Sequence, residues 1–204
     1  MKTLLLVNAA NVLPNEKAEN VSLLIENDLI KEISSENKNF KADEEINLEG
    51  AAVFAGFIDI HNHGAVGVDV NSTTTEDLRR VSKFLASRGV TGWLPTFVPD
   101  ADENYRKVIE AIDVLMETQA SEPIAQILGV HYEGVFANEK MCGALRPQFF
   151  KTFKGGDEVK SLPRLKNGVY FTTLVPEVEN GIELVKELKK QNWIVSIGSS
   201  LPHF

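Results

Sequence analysis

Apolar positions follow two different rhythms along the chain, and the change comes at Gly56. Before it, "TLLLVNA" and "VSLLIEN" are short runs rich in Leu, Val and Ile. The Asn27-Asp28 pair then leads into "LIKEIS", where Leu29, Ile30 and Ile33 are apolar. Short apolar runs divided by turn residues predict strands, here with a hairpin at Asn27-Asp28. After Gly56, short apolar runs alternate with longer amphipathic ones. "GFIDIH" predicts a buried strand. "STTTEDLRRVSKFLASRG" predicts a helix, with Thr73, Thr74 and Thr75 followed by Glu76 and Asp77 as in a capping box, and with Gly89 closing it. "VTGWLPTF" is the next strand. "DADENYRKVIEAIDVLMET" then places Tyr105, Val108, Ile109, Ile112, Leu115 and Met116 on one helical face, with Asp100 available as N-cap. "IAQILGVHYEG" is a third strand, "VYFTTLVPE" a fourth and "WIVSIG" a fifth, the last two separated by the helical pattern "VENGIELVKELKKQ".

Strands alternating with helices predict a parallel sheet covered by helices, so the fold class is α/β. Such a sheet either stays open or closes as a (β/α)8 barrel. A complete barrel typically takes about 250 residues. Residues 56–204 supply about five strands, which implies an open sheet or a barrel cut short. The expected domains are an N-terminal β portion at 1–55 and the β/α portion at 56–204.

Composition narrows the function classes. With 43% hydrophobic and 25% charged residues, the chain has the make-up of an ordinary globular protein. A net charge of -8 argues against general affinity for nucleic acid, while leaving room for a local basic pocket that takes a phosphorylated substrate. The single cysteine, Cys142, allows no intrachain disulfide and suits a reducing compartment. The apolar run Leu4 to Val7 is too short for a signal-peptide core, and no later run approaches the roughly 18 residues of a membrane span. A cytoplasmic location with no membrane partner is expected.

The candidate chemistry starts in "GFIDIHNHG". Residues two apart on a strand share a face, so His61 and His63 can converge on one ion at the carboxyl end of the first barrel strand. They can equally be polar residues that close a strand. In "GVHYEGVF", Glu133 likewise ends an apolar strand and shares a face with His131. Alone it reads as a solvated glutamate opening a loop. Two strands delivering ligand types to one rim favour a metal site. Two histidines and a carboxylate form the three-ligand set of a hydrolytic centre with a position open for water. Nitrogen and oxygen donors suit zinc, iron or manganese alike.

"GFIDIHNHG", "GVHYEGVFANEKMCGALRP" and "VPEVENGIELVKELKKQNWIVSIG" together resemble the N-acetylglucosamine-6-phosphate deacetylase family of the amidohydrolase superfamily. The resemblance runs through almost the whole chain and covers roughly the first half of a family member. The family's H-x-E-G-P-F segment is matched by His131, Glu133, Gly134 and Phe136. The resemblance implies a partial (β/α)8 metal-dependent hydrolase barrel beside a β-sandwich built from both chain ends. It implies hydrolysis of the acetamide of N-acetylglucosamine 6-phosphate, giving glucosamine 6-phosphate and acetate. It also implies a divalent metal held by His61, His63 and Glu133, a sugar contact at Ala144 and Leu145, and a homo-oligomer.

Departures from the family pattern temper this. Ala55 and Val135 stand where the family has prolines, and Leu145 where some members have a histidine. Ser199 occupies a ligand-histidine position, and His203 near the end is expected to be solvated rather than a substitute. The tail from Ser199 suggests truncation or a frame change, with impaired or absent activity because the family's catalytic aspartate lies beyond. Cys142 is expected to be an inert thiol, Gly64 and Gly67 to serve the backbone rather than phosphate, and Lys186, Lys189 and Lys190 to form a solvated face. Arg146 reads either as a phosphate contact or as a plain surface arginine. Another amidohydrolase such as a cyclic-amidase relative, or a non-catalytic partner retaining part of the barrel, are the competing readings.

Overall fold

A computed structural model describes residues 2–13, 16–35 and 40–198; Ser199 and His203 lie outside the described residues. The chain divides into two compact units, Met1–Ala55 and Gly56–Phe204.

The first unit is one mixed sheet of β1 (Thr3–Leu13), β2 (Glu16–Glu26), β3 (Leu29–Ser34), β4 (Glu44–Asn47) and β5 (Ala52–Val53). Its order is β3-β2-β1-β4, with β5 also on β1. β1–β2 and β2–β3 are antiparallel, while β4 and β5 run parallel to β1. Asn27 turns the β2–β3 hairpin at φ 58°, a left-handed conformation that asparagine tolerates better than most residues. Ala9, Val21 and Leu23 form a small core with Leu6, Ala18, Leu48 and Val53 packed on it.

The second unit carries the candidate chemistry. Its strands are β6 (Phe57–Asn62), β7 (Val90–Phe97), β8 (Gln126–Ile127), β9 (Gly129–Glu133), β10 (Val169–Leu174) and β11 (Ile194–Ile197). The sheet order is β6-β7-β9-β10-β11, with β8 also on β7, and every pairing is parallel. The curled parallel sheet is a partial barrel. The predicted third strand is split, with β8 and β9 separated at Leu128.

Helices α1 (Thr75–Ala86), α2 (Asp102–Met116), α3 (Asp157–Lys160) and α4 (Gly181–Lys190) lie between the strands in sequence. Thr74 caps α1: its hydroxyl accepts from the Asp77 N–H at 3.2 Å, and the Asp77 carboxylate accepts from the Thr74 N–H at 3.3 Å. α1 buries Leu78, Val81 and Leu85, and α2 buries Tyr105, Val108, Ile109, Ile112 and Leu115, the face its spacing predicts. Asp100 is not the α2 N-cap. Ala101 holds that position without a side-chain bond, because the Asp100 carboxylate is occupied elsewhere.

The core joins these helices to the sheet through Trp93, Phe97, Tyr132 and Trp193. Burying each such large side chain contributes about 1.5–3 kcal/mol. The run "GFIDIH" is not buried as its composition predicts: Phe57, Ile58 and Ile60 are 58%, 61% and 48% exposed. β6 ends the sheet order among the described residues, so an apolar strand here has a neighbour on one side only.

Candidate metal centre

β6 delivers His61 and the residue just past its end, His63, to the carboxyl end of the sheet; β9 delivers Glu133 to the same end. The β6–β7 register slips between Asp59 and Asn62, where the Asn62 N–H donates to Thr96 Oγ1 at 2.8 Å. The Asn62 side chain then accepts from the Gly64 N–H at 2.8 Å and donates to Asp59 at 2.8 Å. Gly64 completes this turn at φ 120°, where a Cβ would stand 2.1 Å from the Val68 carbonyl oxygen. A side chain at that position forces the backbone apart.

The three side chains meet. His61 Nε2 and His63 Nε2 are 3.0 Å apart, and Glu133 Oε2 lies 3.1 Å from His63 Nε2 and 3.8 Å from His61 Nε2. Ligands on a tetrahedral ion with bonds of about 2.0–2.1 Å stand about 3.3 Å from one another, so these separations fit a single ion. The tautomer fits too. His63 Nδ1 is 3.2 Å from the Thr96 carbonyl, which can only accept, so Nδ1 carries a proton and Nε2 is the ring atom turned toward Glu133. The hydrogen bond with Glu133 raises the His63 pKa against the opposing effect of burial, and the bond from His63 lowers that of Glu133. Among the described residues this is the one group of three or more His, Cys, Asp or Glu side chains placed to hold a metal.

His131, on the Glu133 face of β9, stays out of the cluster. Its Nδ1 is 2.9 Å from the Ile60 carbonyl and its Nε2 2.9 Å from Thr173 Oγ1. Burial pushes its pKa down to about 4, so the ring is neutral.

A cavity of about 410 Å³ extends from His63 and Glu133 to Met141, Cys142, Ala144 and Leu145. A larger one, about 520 Å³ and lined by Asn138, Phe150 and Glu179, contains none of the three candidate ligands. Leu145 lies over Gly134, where φ is 67° and a Cβ would come within 2.2 Å of Leu145 Cδ1. The 142–146 loop is tied down by Arg146, which donates to Asp100 at 2.9 Å. Asp100 also accepts from Asn71 at 3.1 Å and Asn104 at 2.9 Å. Burial pushes the Asp100 carboxyl up, but the bonds from Asn71, Ala101 and Asn104 and the Arg146 charge outweigh it and hold the pKa low. Cys142 Sγ faces the Glu139 carbonyl at 3.1 Å. Lys186, Lys189 and Lys190 are exposed on α4.

Sequence reasoning missed Thr96, which orients His63, and the Asp100 cluster. Thr96 could have been flagged as a polar residue near the carboxyl end of β7, the rim that carries the histidines. Nothing local marks Asp100 and Arg146 as partners.

No family model matches the chain. The fold, with candidate ligands at the carboxyl end of a curled parallel sheet, is that of the amidohydrolase barrels. The N-acetylglucosamine-6-phosphate deacetylase of Pasteurella multocida superposes with a TM-score of 0.82, at 22% identity over 97% of this chain and 51% of that one. In sequence, the N-acetylglucosamine-6-phosphate deacetylase of Danio rerio is 34% identical over 167 residues, 78% of this chain and 40% of that protein. The Bacillus subtilis enzyme of the same name is 30% identical over 207 aligned positions, 97% and 50% of the two chains. This chain is therefore a homologue of the N-acetylglucosamine-6-phosphate deacetylases, and it spans about half the length of the curated relatives it matches.

Proposed function

We propose that this chain carries a metal-binding, sugar-facing part of a deacetylase that hydrolyses the acetamide of N-acetylglucosamine 6-phosphate to glucosamine 6-phosphate and acetate. The observation that carries the reading is the convergence of His61, His63 and Glu133 beside the cavity lined by Ala144 and Leu145. His61, His63 and Glu133 hold a divalent ion, with zinc, iron and manganese all suited to the donors. That ion supplies Lewis acidity to the amide carbonyl and makes water nucleophilic at neutral pH. Thr96 and Glu133 fix the His63 ring, and the 142–146 loop walls the cavity so that Ala144 and Leu145 touch the sugar.

The departing amine needs a proton. Among the described residues, Glu133 is the one carboxylate in the cluster of candidate ligands, and its role as ligand leaves it unsuited to that task. Missing a positioned acid typically lowers a rate about 10²–10⁴-fold. The 204-residue chain alone is therefore expected to bind the ion with little or no turnover. In this reading, residues 1–55 form part of a composite sandwich, the protein is cytoplasmic, and copies of the chain self-associate.

Acetate release from N-acetylglucosamine 6-phosphate, measured on the purified chain with metal content determined on the same sample, tests this. Ion bound at about one per chain, lost in Glu133→Ala, supports the ligand set. Turnover close to that of a full-length relative defeats the impairment, and absence of bound ion defeats the metal centre.

A further inference from the structure

His131 stands two residues before Glu133 on β9 and is 1% exposed. Its ring meets His61 edge-on, with centroids 5.0 Å apart and planes at 81°, and packs on Phe171 at 4.6 Å. β9 is not a neighbour of β6 in the sheet, since β7 lies between them. The His131 ring nevertheless reaches the Ile60 carbonyl at 2.9 Å. Ile60 is bonded directly to His61. A carbonyl oxygen only accepts, so Nδ1 carries a proton and donates to it, and Nε2 faces the Thr173 hydroxyl at 2.9 Å.

We propose that His131 is a positioning residue: as the Nδ1–H tautomer it ties the peptide carrying His61 to the strand carrying Glu133, and so sets the distance between these two ligands. The proposal rests on the metal-centre reading above. One hydrogen bond links the two strands that hold the ligands across the strand between them. The Thr173 hydroxyl holds the far edge of the same ring and keeps it from rotating. A histidine that merely filled the core would serve in either tautomer; this one serves in one only.

The two amide residues separate these cases, because asparagine places a donor near the Nδ1 position and glutamine places one near Nε2. Histidine-selective 15N NMR on the full chain at neutral pH is expected to show His131 protonated at Nδ1. Zinc and manganese titrations are expected to give His131→Asn an affinity within a few-fold of the parent. His131→Gln should lose about 10- to 100-fold, the range typical of partners that orient ligands, with both variants shown folded by circular dichroism. An Nε2–H tautomer overturns the proposal. So do equal affinities in both variants, or losses that merely follow each variant's drop in melting temperature. If the parent chain binds no ion, the metal centre falls, and the tautomer still decides whether His131 grips Ile60.

Discussion

His63 Nε2 and Glu133 Oε2 face each other at 3.1 Å. The hydrogen bond to Glu133 raises the His63 pKa above its ordinary 6.5, and the same bond holds Glu133 below its ordinary 4.5. The signs are opposite. The stability that His63 contributes is fully present below the unfolded value and is lost as pH rises through its raised folded pKa. That of Glu133 is present above the unfolded value and is lost as pH falls through its lowered folded pKa. The pair therefore steadies the ion-free site between those two folded values. A metal ligand must be deprotonated, so an ion competes with the His63 proton. Affinity for zinc or manganese should weaken as pH falls through the raised His63 pKa, beginning above the ordinary histidine value. Calorimetric titration from neutral to mildly acid pH checks this, and a flat affinity over that range contradicts it. The strand-end positions of His61, His63 and Glu133 were legible in the sequence because two-residue alternation and apolar runs are local signals. The bond from His131 to Ile60 joins residues 71 apart and has no local signal.

The loop over the cavity shows how one element depends on another. Asp100 gathers Arg146, Asn71 and Asn104, and thereby fastens the 142–146 loop to the segments ahead of α1 and α2. Arg146→Ala should free that loop, raising the rate of limited proteolysis near Cys142 several-fold and weakening sugar-phosphate binding while leaving ion affinity unchanged. Unaltered proteolysis argues that the loop is held by its apolar contacts instead. At the start of α1, Thr74→Ala removes the cap and should cost about 1 kcal/mol, read as a lower melting temperature. The same residue types gave opposite outcomes in the two helices. Thr74 and Asp77 satisfy each other locally, so the capping box read from sequence is present. Asp100 was equally plausible as a cap, but three side-chain donors brought by folding claim its carboxylate.

Among the described residues, the parallel sheet begins at β6 and ends at β11, and both strands present apolar side chains outward. Ile194 and Ile197 on β11 are 47% and 62% exposed. Apolar sheet ends favour pairing with another chain. Analytical ultracentrifugation should show concentration-dependent association, reduced by Ile194→Lys with Ile197→Lys; a monomer at every concentration contradicts the proposed self-association. The alternation of strands and helices made the parallel sheet legible in the sequence. The exposure of "GFIDIH" was not, because burial depends on which strands lie alongside, and an apolar run carries no record of its neighbours.

The candidate ligands bridge β6 and β9, which are separated in the chain by α1, β7, α2 and β8. The candidate ion site is therefore assembled only after a long loop has closed, late on any folding route that starts from local contacts. An ion bound there steadies the finished state more than the barrier leading to it, so it should slow unfolding while hardly changing the refolding rate. Metal occupancy then becomes a clock for the native chain, lengthening its lifetime without hastening its birth.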